Sequence, residues 1–91
     1  MYELFYSDLA KKQLYKLPKE VHDRILRSLE RIRIRPEAYI EKLVGIPGYK
    51  FRVGDYRVIM DIENDRLLIL VIKIGHRKNV YGWKTIYTSY L

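Results

Sequence analysis

The chain has 91 residues, enough for one domain around one core and no more. Hydrophobic residues make up 48% and charged residues 32%, which excludes a disordered chain, and a formal charge of +7 favours anionic partners such as nucleic acid, an acidic protein or a membrane surface. No cysteine is present, so disulfides, iron–sulfur clusters, thiolate chemistry and cysteine-ligated zinc are excluded.

Residues 2–6 read as a first strand, with Tyr2, Leu4 and Tyr6 alternating against Glu3 and Phe5. Ser7 and Asp8 then offer a helix N-cap. Ala10, Leu14 and Leu17 form an apolar stripe of a short helix, with Lys11, Lys12 and Lys16 outside it. Pro18 is placed as a first-turn residue of a second helix, whose stripe is Val21, Ile25, Leu29 and Ile32. That helix is expected to run to about Arg35 and to end at Pro36. Residues 36–48, with two prolines and two glycines, read as a connector holding one helical turn around 37–39.

A hairpin follows, with Gly54-Asp55 as its two-residue loop. That loop sets Val53 opposite Tyr56, Arg52 opposite Arg57 and Phe51 opposite Val58. Lys50, Arg52 and Arg57 therefore share one face, while Phe51, Val53, Tyr56, Val58 and Met60 share the other. A second tight turn is expected at Asn64-Asp65. The strand 67–74 is apolar at nearly every position, so it should be central and buried on both faces, and Gly75 should break it. That register puts Lys73 on the helix-facing side with Tyr56; either the side chain snorkels at the rim or the register is off by one. Residues 83–91 fit a short C-terminal helix or a strand. The whole is an α+β fold of a single domain, 1–91: an N-terminal strand, a helix hairpin, and an antiparallel three-strand meander in a mainly antiparallel sheet with helices on one face.

Singly, an exposed lysine or arginine is most simply solvated surface charge. Three on one face repel one another, and an anion such as a phosphate backbone relieves the repulsion. The loop His76-Arg77-Lys78 follows the apolar strand and can converge on Arg57, with Tyr81 shortly after. No Ser-His-Asp order, carboxylate pair, P-loop or metal cluster is apparent. A set of Arg, Lys and Tyr does suit RNA cleavage. RNA supplies its own nucleophile in the 2′-hydroxyl, and arginine stabilises charge that builds on phosphoryl oxygens. No cofactor or metal is called for. With no signal pattern after Met1, and a longest apolar run (67–72) too short to span a bilayer, a soluble cytoplasmic protein without a membrane partner is expected.

The helix hairpin beginning at Leu17-Pro18-Lys19, the run from Tyr49 to Ile59 with its Gly54-Asp55-Tyr56-Arg57 block, and the run from Ile74 to Tyr81 together resemble the RelE/ParE toxin superfamily, its RelE branch above all. The resemblance implies an endoribonuclease that enters the ribosomal A site and cuts mRNA there without metal. Lys50, Arg57, Arg77 and Tyr81 match the family's basic set and tyrosine, the last two at a shorter spacing. Arg52 stands where the best-known relatives have lysine. Lysine can serve as a base and arginine effectively cannot, so Lys50 or Tyr81 is left as base and Arg52 as electrostatic; whether His76 takes part is open. The resemblance also implies a RelB-like antitoxin, acidic and partly disordered when free, in a hetero-oligomer with the toxin, and the ribosome with its mRNA as target. Two rival readings are a ParE-like poison of a topoisomerase (gyrase) and a non-catalytic RNA-binding inhibitor of translation.

Overall fold

The computed structural model describes residues 1–79. In chain order these form β1 (Glu3–Tyr6), α1 (Asp8–Lys16), α2 (Lys19–Ile32), a 3₁₀ turn (Pro36–Ala38), β2 (Ile40–Lys42), β3 (Tyr49–Val53), β4 (Tyr56–Glu63) and β5 (Leu68–His76). The sheet order is β1-β5-β4-β3-β2. β1 lies parallel to β5 and every other pairing is antiparallel, so the expected α+β arrangement is present: strand, helix hairpin, meander.

Both predicted helix stripes meet one face of the sheet. Ala10 and Leu14 from α1, and Ile25, Leu29 and Ile32 from α2, pack with Phe51, Val53, Val58, Met60, Ile69, Val71 and Ile74. Ile25 and Leu29 are fully buried, each contributing about 1.5–3 kcal/mol of transfer free energy. Ser7 caps α1, accepting from the Ala10 N–H at 3.0 Å. Pro18 is the N-cap of α2, one position earlier than a first-turn residue, and the helix ends at Ile32 with Arg33 as C-cap, short of Arg35.

Three further expectations are corrected. The connector contains a strand, β2, whose three residues pair with β3 from Ile40↔Phe51 to Lys42↔Tyr49. The second turn is longer than Asn64-Asp65: Glu63 pairs with Leu68, so 64–67 form the loop, closed by Leu67 at φ 55°. β5 continues through Gly75 to His76, and it is not buried on both faces throughout, since Leu70 stays 41% exposed.

The register of β4 and β5 also shifts between Ile59 and Met60. Ile59 pairs with Lys73 and Met60 with Val71, leaving Ile72 as an extra residue. A bulge of this kind reverses the facing of every side chain beyond it. Lys73 is therefore turned away from the helices; of the two explanations for its position, the register shift is the correct one.

Candidate active site

The face opposite the helices carries the candidate site. Gly54, at φ +57°, closes the β3–β4 loop, and the pairs Lys50↔Ile59, Arg52↔Arg57 and Val53↔Tyr56 are those the two-residue loop requires. Lys50, Arg52 and Arg57 thus project from one face, while Phe51, Val53 and Val58 lie beneath the helices. A Cβ on Gly54 would approach the Arg24 guanidinium to 2.8 Å, so the Arg24 side chain of α2 lies against the turn.

Each cation is held differently. Arg57 donates through Nη1 to the carbonyls of Gly54 (2.9 Å) and Tyr56 (3.0 Å), which fixes the guanidinium at the hairpin turn. Arg77 reaches the same turn from the end of β5. Its backbone N–H donates to the Asp55 carbonyl at 2.7 Å, and its Nε lies 3.8 Å from the Asp55 carboxylate. Lys50 lies 3.7 Å from the Glu41 carboxylate of β2, with both side chains substantially exposed. Arg52 makes no ion pair among the described residues. Four of the five residues expected from the sequence are therefore brought around one hairpin. The fifth, Tyr81, lies outside the described residues. His76 pairs with Tyr56, ring centroids 5.4 Å apart and edge-on, and its Nδ1 accepts from the Lys78 N–H, so it packs as a turn residue on the helix side of the sheet.

Two features escaped the sequence reading. Lys73 joins the cationic face directly across β4 from Lys50, through Ile59. It is buried, and desolvation holds its ammonium below the ordinary lysine pKa. The second is an open groove of about 450 Å³ between α2 and β3, lined by Arg24, Arg27 and Arg31 together with Arg52. Its signal was legible: Arg24, Arg27 and Arg31 recur at helical spacing beside the apolar stripe. Positive charge therefore continues from the sheet face around the hairpin onto α2.

Among the described residues no group of three or more His, Asp or Glu side chains is placed to hold a metal ion. The assembled groups are fixed cations suited to phosphate oxygens, with Lys50 and Lys73 alone among the sheet-face cations able to give up a proton.

Comparison with known proteins bears on the fold and the family. The chain is 26% identical over 80 residues to the mRNA interferase toxin RelE of Escherichia coli K12, covering 85% of this chain and 84% of that protein. Its fold matches RelE in the intact E. coli RelBE toxin–antitoxin complex (TM-score 0.71, 27% identity, 84% of this chain and 96% of that one). It likewise matches the archaeal RelE–RelB complex of Pyrococcus horikoshii (TM-score 0.69, 26% identity, 84% and 94%). A mutant E. coli RelE in the free state superimposes with a TM-score of 0.77 at 24% identity, over 99% and 98% of the two chains, a likeness of fold. The family model for the ParE toxin of type II toxin–antitoxin systems matches residues 4–81, and the chain belongs to that toxin family.

Proposed function

We propose that this toxin is a ribosome-dependent endoribonuclease that cuts mRNA in the A site without a metal ion. The carrying observation is the convergence at one hairpin of Arg52, Arg57 and Arg77, joined by Lys50 on the same face. The scissile phosphate sits against these cations. The 2′-hydroxyl of the preceding nucleotide attacks phosphorus, the 5′-oxygen leaves, and the arginines stabilise the charge that grows on the phosphoryl oxygens. The names of the relatives support RNA as substrate. Tyr81 is proposed as the tyrosine of the set.

The partner is proposed to be an acidic antitoxin of the RelB kind. RelE toxins are seen with RelB in the two complexes above, and an acidic chain that folds on binding complements a basic sheet face. Mapping mRNA ends on toxin-treated programmed ribosomes, with and without chelator, tests the activity. Cuts within the A-site codon that are unaffected by chelator and leave a 2′,3′-cyclic phosphate are expected. Cleavage at a nucleotide whose 2′-oxygen is methylated would rule out this chemistry.

A second reading has one observation in its favour, the description of the matching family model as a ParE toxin. A gyrase supercoiling assay separates the two. No inhibition is expected, because a poison that acts by binding has no need of this cation set.

A further inference from the structure

Lys73 is the one charged side chain that is buried among the described residues, at 8% exposure. The bulge turns it onto the cationic face, in a row with Ile59 and Lys50 across three strands. Arg57 flanks it diagonally on β4, at the roughly 7–8 Å of such neighbours, and Asp61 lies on the same face beyond the bulge, opposite Leu70. Lys50 and Arg52 lie one strand further away. The loop 43–48 brings only Leu43 and Ile46 against Ile59, and no charge. The Asp61 carboxylate accepts from the Ile62 N–H, and no ion pair joins it to Lys73. Lys73 makes no hydrogen bond or ion pair among the described residues, yet no buried side-chain nitrogen there lacks a partner. Its Nζ therefore opens to solvent while its stem is enclosed.

These facts separate the two lysines of the face. Lys50 is exposed and lies beside the Glu41 carboxylate. Lys73 has no carboxylate partner among the described residues, and the enclosure of its stem desolvates the ammonium enough to favour the neutral form. The arginines keep their protons at any working pH.

We propose that Lys73 is the proton acceptor in RNA cleavage, the titratable lysine that Arg52 cannot be, and that Lys50 is the proton donor. This rests on the cleavage reading given above. The 2′-hydroxyl proton passes to the lone pair of Lys73 Nζ and the 2′-oxygen bonds to phosphorus. The bond from phosphorus to the 5′-oxygen breaks, and that oxygen leaves with a proton from the Lys50 ammonium. Proton exchange with water restores both lysines.

The test is single-turnover cleavage on programmed ribosomes across pH, for wild type, Lys73→Met and Lys73→Arg, with ribosome binding measured alongside. Both variants should lose on the order of 10²–10⁴ in rate. Their binding should change far less, and the rise of rate with pH seen in wild type should be lost or displaced. Arginine preserves the charge without an accessible lone pair, so a fully active Lys73→Arg would overturn the proposal by making the role purely electrostatic. Thermal melting checks that each variant folds, and Lys73→Arg decides the matter should Lys73→Met fail to fold. A second measurement needs no substrate: amine acylation followed by mass spectrometry should label Lys73 at lower pH than Lys50, and the reverse order would count against it. A wild-type protein that cuts nothing overturns the cleavage reading and this proposal together. Wild-type cleavage matched by Lys73→Met, in rate and pH dependence, overturns this proposal alone.

Discussion

Arg57 spends two of its hydrogen bonds on the carbonyls of Gly54 and Tyr56, so the hairpin turn and the guanidinium hold each other in place. The side chain is thereby positioned before substrate arrives, which is the condition for charge to be stabilised without reorganisation. Charge on the phosphoryl group grows in the transition state, so Arg57→Ala should slow single-turnover cleavage by about 10²–10³ while weakening ribosome binding much less. Equal losses in both would reduce Arg57 to a binding residue. The same comparison applies to Arg77→Ala, and Asp55→Asn should give a milder defect because it weakens only one of the two contacts that bring Arg77 to the turn. Gly54→Ala tests the turn itself. The backbone there is left-handed, and the atom a Cβ would meet is the far end of the flexible Arg24 side chain, which can move aside. The cost is therefore mainly conformational, about 1–2 kcal/mol by denaturant titration.

At the level of elements, the bulge in β5 turns Lys73 onto the cationic face, and α1 with its cap holds it. β1 stops pairing at Tyr6↔Val71, which leaves the next stretch of β5 without a strand on that side. Ser7 fills the gap: its N–H donates to the Val71 carbonyl and its hydroxyl donates to the carbonyl of Ile72, the extra residue, at 2.6 Å. Gln13 then accepts from the Ile74 N–H, also at 2.6 Å. Ser7→Ala removes both the cap of α1 and the partner of Ile72, and should destabilise the protein by roughly 2 kcal/mol in chemical denaturation, above the ~1 kcal/mol of a cap alone. A loss no larger than that of an ordinary cap would mean that the bulge stands without Ser7. This explains what the sequence could and could not reveal. The β3–β4 register was legible because Gly54-Asp55 admits one loop and the flanking residues alternate. The bulge was not, because 67–74 is apolar at nearly every position and a one-residue insertion leaves no break in such a pattern. Lys73, the one side chain that fitted badly, was its only trace. β2 was hidden by its length of three residues between a proline turn and a glycine-rich loop.

For the molecule as a whole, the +7 charge is distributed unevenly. The open sheet face is cationic around the β3–β4 hairpin, while its other end carries Asp61 and a Glu63–Arg66 ion pair beside Phe5, Leu68 and Leu70. The cations continue past the turn to Arg24, Arg27 and Arg31, whose groove also takes in Arg52. An RNA strand approaching the site therefore meets two adjoining rows of positive charge. Each phosphate neutralised on a single strand contributes about −0.7 to the slope of log affinity against log salt. Contacts by Lys50, Arg52, Arg57 and Arg77 give a slope of roughly −3 by that rule. The α2 arginines steepen it by about 2 more if all three engage phosphate. Replacing Arg24, Arg27 and Arg31 together with alanine should make the slope shallower by about that amount. It should change the single-turnover rate of saturated complexes far less, because these side chains belong to α2 and are not among the cations proposed to hold the scissile phosphate. An unchanged slope would confine RNA contact to the sheet face. A wild-type affinity indifferent to salt would instead make a protein surface of the ribosome the main point of attachment, with the cation set acting only after docking.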